Sequence, residues 1–159
     1  MPARLNKSTV DARRPADSFG DCSLSQKGAN MNDQAKQELL GLNLQLLQAI
    51  VTGDWKTYKD MCDPTLTAFE PEACGHLVEG LPFHQFYFDL GATKGSRAVT
   101  MASPHVRLLG DCAVVSYVRL NQKLNDAGAP VTGAVEETRV WHKKEGKWKH
   151  VHFHRSVVK

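Results

Sequence analysis

Three arginines, Arg119, Arg139 and Arg155, sit in stretches where polar and apolar residues alternate, and the alternation places each guanidinium among hydrophobic neighbours. Arg119 shares its face with Val115 and Tyr117, Arg139 with Val135, Glu137 and Trp141, and Arg155 with Val151 and Phe153. A guanidinium in such company is costly to dehydrate unless a carboxylate, carbonyls or water meet it. Two arrangements satisfy that demand. One is a set of buried or interfacial ion pairs, with Glu137, Glu70, Glu72 or Glu79 as partners. The other is a cationic cavity that takes a carboxylate or an acidic peptide segment through the fork geometry guanidinium favours. General acid–base chemistry would draw on His84, Glu137 and Tyr117, but three arginines suit holding an anion better than moving a proton. His150, His152 and His154 are expected on the opposite face of the last strand from Arg155. With no Cys or carboxylate at tight spacing they do not make a zinc site. They read as polar partners at a sheet surface or subunit contact, where neutral imidazoles make assembly sensitive to mild acid.

The pattern along the chain says what must hold these side chains in place. Segments 99–109, 112–124, 134–143 and 147–155 alternate like strands, with compact turns at Gly110-Asp111 and Glu145-Gly146 and a longer one over 126–130. Upstream, 33–51 reads as a helix that Asn32 or Asp33 can cap and Gly53 can stop. Leu39, Leu40, Leu42, Leu44, Leu46, Leu47, Ile50 and Val51 spread over roughly 200° of its circumference, with Gln37, Gln45 and Gln48 opposite. A stripe that wide either fills one protomer's core with both flanks or turns one flank to a second surface. A short helix over Trp55, Tyr58 and Met61 or Cys62 ends at Asp63-Pro64, because proline disfavours the helical conformation of the residue before it. Another spans 82–90, where Pro82 suits a first helical position and Phe83, Phe86 and Leu90 recur at helical spacing. Helices followed by an antiparallel meander make an α+β domain over 33–159. Residues 1–32, rich in Ser, Asp, Asn, Gly and Arg with little apolar periodicity, are expected to form a disordered N-terminal tail.

Composition narrows the classes of function. At 159 residues, 42% hydrophobic and 23% charged, the chain has the make-up of one ordinary soluble domain, and no stretch approaches the ~20 apolar residues of a membrane span. The net charge of +3 is small and the basic residues are interspersed with acids, which argues against nucleic acid as a partner. Cys22, Cys62, Cys74 and Cys112 form no Cys-x-x-Cys pair and follow no apolar leader, so reduced thiols and a cytoplasmic location are expected, with no metal or other cofactor. Kinase motifs are absent: the sequence has no Gly-rich loop before a Val-Ala-x-Lys strand, no His-Arg-Asp and no Asp-Phe-Gly.

Two long runs resemble one family. The first is Cys62-Asp63-Pro64-Thr65-Leu66-Thr67-Ala68-Phe69-Glu70-Pro71-Glu72-Ala73-Cys74-Gly75-His76-Leu77-Val78-Glu79-Gly80, closed by Phe83-His84-Gln85-Phe86-Tyr87-Phe88. The second is Glu136-Glu137-Thr138-Arg139-Val140-Trp141-His142-Lys143-Lys144-Glu145-Gly146-Lys147-Trp148 with Val151-His152-Phe153-His154-Arg155-Ser156. Both are similar, in order and over about residues 34–156, to the association (hub) domain of calcium/calmodulin-dependent protein kinase II. The resemblance implies a long helix cradled by a strongly curved antiparallel sheet, the cone shared with nuclear transport factor 2 and small isomerases. It also implies a free-standing hub with no kinase domain, assembling with itself into two stacked rings, with kinase subunits that carry a similar hub as further candidate partners. Leu40, Leu44, Leu47 and Phe86 are the expected contact residues between copies. A pocket for a small carboxylate or docked peptide is implied at Arg119, Arg139, Arg155 and His84, with Tyr58 as a wall. The loop after Phe88 carries no aromatic where several relatives have one. Two alternatives accompany this reading: an isomerase- or dehydratase-type enzyme on the same cone, and a kinase-associated subunit to which kinase activity and calmodulin binding attach only by transfer from longer relatives.

Overall fold

The computed structural model describes residues 22–92, 95 and 97–158. Helix α1 (Cys22–Thr52) ends where Gly53 adopts φ +72°, a left-handed conformation that glycine enters without a Cβ penalty. Asp54 then starts α2 (Trp55–Met61) by accepting the Thr57 amide at 3.0 Å and the Thr57 hydroxyl at 2.6 Å. The helix expected from residue 33 begins at Cys22 instead, so α1 takes in 22–32. Once the packed portion has formed, each added residue contributes a hydrogen bond without a second nucleation, and Gln26, Lys27 and Ala29 are adequate helix formers. The rest of the expected tail, 1–21, lies outside the described residues.

Six strands form one sheet: β1 (Cys62–Phe69), β2 (Val78–Glu79), β3 (Arg97–Leu109), β4 (Cys112–Leu124), β5 (Pro130–Lys144) and β6 (Lys147–Val157), in the spatial order β2-β1-β6-β5-β4-β3. Helix α3 (Pro82–Asp89) lies between β2 and β3 in the chain. The β3–β6 meander is antiparallel as expected, and its turn Glu145-Gly146 has both residues at positive φ, +50° and +77°, which suits a two-residue hairpin. Strand β1 departs from the expectation. Its sequence reads as a helix end followed by proline, yet it joins β6 in parallel, an arrangement that needs the long connection supplied by the intervening chain. Pro64 is tolerated because it falls in the break of register between Cys62 and Thr67, where no ladder amide is required of it.

The concave side of the sheet holds the core. Leu39, Leu46, Leu47 and Ala49 of α1 pack with Ala113, Val115 and Tyr117 of β4, Trp141 of β5, and Trp148 and Phe153 of β6. Leu47, expected at a contact between copies, is fully buried within this core, because its position on the helix points at the sheet. Leu40 and Leu44 are half-buried, and Phe86 is 59% exposed. One polar residue sits in the apolar stripe. Asn43 is fully buried, accepts the Trp141 indole N–H at 3.4 Å and directs its own amide at Met101 Sδ 3.1 Å away, so α1 is keyed to both β5 and β3.

Candidate functional site

The interior faces of β4, β5 and β6 bring the three arginines to one place, as alternation requires. Arg139 stands across from Phe153 on β6 and Val115 on β4, and Arg155 across from Glu137. Arg139 is fully enclosed: its Nε donates to the Tyr117 hydroxyl at 2.8 Å and to Glu137 Oε2 at 3.1 Å, and its Nη2 donates to the same oxygen at 2.9 Å. Its guanidinium carbon lies 4.6 Å from the centroid of the Phe153 ring, a cation–π placement. Arg119 Nη1 approaches the other oxygen, Glu137 Oε1, to 3.1 Å, close enough for ionic attraction though off hydrogen-bond alignment. Arg155 Nη2 reaches Glu70 Oε2 at 3.0 Å and also pairs with Glu72. His84 Nε2 lies 3.2 Å from Glu70 Oε1. Of the four proposed carboxylate partners, Glu137, Glu70 and Glu72 are engaged; Glu79 is exposed on β2.

These pairs fix the charge states. Burial alone would raise the Glu137 carboxyl, but Arg139, Arg119 and Tyr117 outweigh it and hold it below its ordinary value. Burial also opposes ionisation of Glu70, and His84 and Arg155 again win. Glu137 is therefore an ionised anchor clamped by two guanidiniums and a phenol, which suits an ion-pair hub better than a general base. Burial pushes the Cys62 thiol up to about 12, so it stays protonated.

Arg119, Arg139, Arg155, His84 and Tyr58 all line one cavity of about 510 Å³. Tyr58 is buried in an aromatic wall with Trp55, His84 and Phe88 at centroid distances of 5.9, 5.9 and 4.9 Å. Each of the three arginines is ion-paired, and each lines the same hollow. Arg97 and Lys123, which the sequence did not single out, line it too.

The histidines do not share a face. An irregularity of register between Val140 and Trp141 pairs Val140 with His152 and Trp141 with His150, leaving Val151 as an extra residue. A bulge of this kind shifts the side-chain phase, so His150 turns inward and is fully buried while His152 and His154 stay outside. His150 Nε2 lies 3.2 Å from Arg139 Nη1, and since arginine can only donate, Nε2 accepts and the proton resides on Nδ1, 3.6 Å from Cys62 Sγ. Burial, then the positive charge of Arg139, depresses this imidazole well below its ordinary value. Among the described residues no group of three or more His, Cys, Asp or Glu gathers to hold a metal, and no helix is long and apolar enough to cross a membrane.

The buried imidazole predicts acid sensitivity. Its folded pKa is depressed, so below the unfolded value of about 6.5 the unfolded chain binds a proton that the folded chain refuses, and stability falls as pH falls. The loss accrues as pH drops through the unfolded value toward pH 5. Urea denaturation at pH 7 and pH 5 checks it, and His150→Gln should flatten the difference; an unchanged slope in that variant counts against His150 as its source.

Comparison with known proteins gives the arrangement a context. A family model described as the calcium/calmodulin dependent protein kinase II association domain matches residues 35–159. The delta subunit of calcium/calmodulin-dependent protein kinase type II from Oryctolagus cuniculus is 50% identical over 124 residues, covering 76% of this chain and 23% of that subunit, so the match spans about a quarter of that relative. Among solved structures, the CamKII hub homology domain of Chlamydamonas reinhardtii is 58% identical with a TM-score of 0.75, covering 79% of this chain and 99% of that one. A nuclear transport factor 2-like superfamily protein from Salmonella enterica shares the fold at 22% identity, with a TM-score of 0.65 and coverage of 80% and 94%.

Proposed function

The chain belongs to the calcium/calmodulin-dependent protein kinase II association-domain family, and from that premise we propose that it is an oligomerisation scaffold that closes into two stacked rings of identical protomers. The observation that carries the reading is the family match across 35–159, the part of the chain that contains the whole sheet and most of α1. Closed symmetry favours surfaces that would otherwise be liabilities. Here these are the 13-residue edge strand β3, the half-buried Leu40 and Leu44, and exposed Phe86 and Leu90, at 59% and 69%. Kinase subunits bearing a similar domain are candidate co-assembling partners. The cytoplasm is its proposed compartment, which suits the unpaired Cys62, Cys74 and Cys112. Within each protomer the arginine-lined cavity is the proposed site for a small carboxylate.

Native mass spectrometry of the full chain tests the assembly. The expected result is a high multiple of the 17.6 kDa protomer; isolated protomers at micromolar concentration would falsify the scaffold. Calorimetric titration with a small carboxylate tests the cavity separately, with Arg119→Gln expected to abolish the heat.

A further inference from the structure

Positive charge is unevenly placed in the cavity. Deep inside, Arg119 and Arg139 share Glu137, and Arg155 meets Glu70 and Glu72, so each guanidinium already faces a carboxylate of this chain. The mouth is different. Arg97 opens β3 directly opposite Lys123 on β4, both are exposed, and both line the cavity. Among the described residues no carboxylate forms an ion pair with either. Like charges directly opposite on neighbouring strands repel, and an anion seated between them relieves the repulsion.

Alternation along β4 puts Arg119, Asn121 and Lys123 on the same side, all three lining the cavity. At a strand rise of about 3.3 Å per residue, the backbone positions of Arg119 and Lys123 are roughly 13 Å apart, a gap their long side chains shorten from both ends. The same wall also includes apolar Ile50, Val51 and Phe88. We infer that the cavity takes a linear ligand with an anionic group at each end and an apolar middle, one end read by Arg97 and Lys123 at the mouth and the other by Arg119 and Arg155 inside. The inference rests on the reading of the cavity as an anion site. At the inner end the ligand competes with Glu72 for Arg155; Glu72 has a side chain 38% exposed and so can turn to solvent, whereas Glu70, at 9%, is also held beside His84.

The test compares azelate (nonanedioate) with nonanoate, equal in carbon number and differing in one terminal carboxylate, by calorimetric titration of the full chain. Azelate is expected to bind about tenfold tighter, the worth of one further charge-assisted contact, and the advantage should shrink at high salt. The double substitution Arg97→Gln with Lys123→Gln is expected to remove the difference between the two ligands. It should also raise the thermal midpoint of the ligand-free protein, since the cross-strand repulsion is gone. Equal affinities in the native protein, or a difference that survives the double substitution, overturns the two-ended ligand while leaving the anion site standing. Failure of both ligands to bind overturns the two together.

Discussion

Replacing Glu137 by Gln is expected to cost roughly 3–5 kcal/mol of stability, the range for breaking a buried ion pair from one side. The substitution keeps the shape and removes the charge. It leaves Arg139, 1% exposed, and Arg119, 12% exposed, without the counter-ion they share, and deprives the Tyr117 hydroxyl of its carboxylate acceptor. The remaining neighbours of Arg139 are the Tyr117 hydroxyl, a neutral imidazole and a ring face, none of which can replace a full negative charge. Urea denaturation of E137Q, R139Q and the double variant measures the effect and its coupling. The double variant should lose far less than the sum of the singles, because the orphaned charge nearest to Glu137 is gone. A loss below about 1 kcal/mol in E137Q, within the ordinary range of a neutral hydrogen bond, would show that the guanidiniums do not depend on this carboxylate.

Trp141→Ala is expected to cost a similar roughly 3–5 kcal/mol, through a different cause: a large cavity under α1. Trp141 is fully buried at the middle of the concave face, its ring 5.3 Å from that of His150 and its indole N–H directed at Asn43. Removing it empties the space against the helix and leaves the Asn43 carbonyl without that donor. Trp141→Phe separates the two contributions. It keeps most of the volume, so its smaller loss, about 1–3 kcal/mol, reports chiefly the unsatisfied amide. If both variants melt where the native protein does, the keying of α1 to β5 through this pair is not what holds the helix in the sheet.

These two residues show how far the sequence reaches. Period-2 alternation placed Arg119, Glu137, Arg139 and Trp141 on one face, and their side chains do meet there, because nothing interrupts β4 or that part of β5 to disturb the phase. Turn chemistry at Gly53-Asp54 and Glu145-Gly146 was equally readable, since positive φ and a capping carboxylate are local requirements. The motif resemblance supplied the α+β cone, and it named Tyr58 and His84 beside the arginines around one cavity.

Other features were beyond any local rule. His150 faces inward only because Val151 is an extra residue opposite β5, and a bulge is a property of two paired strands rather than of one. Strand β1 exists because β6 offers it a parallel edge, although its own residues include a proline. Leu47 belongs to the core and Phe86 to the surface because the sheet covers one side of α1 and leaves the outer side of α3 open. Arg97 and Lys123 lie far apart in the chain and form one cationic mouth only through cross-strand register. By itself, then, the sequence determined the family, through its two long motif runs, and also the alternation that gathers the arginines and the caps that separate the elements, the last two set by short-range sterics and periodicity. Only the tertiary structure decided which carboxylate each arginine takes, which histidine is buried and where uncompensated charge remains, because those depend on distances between segments that lie apart in the chain.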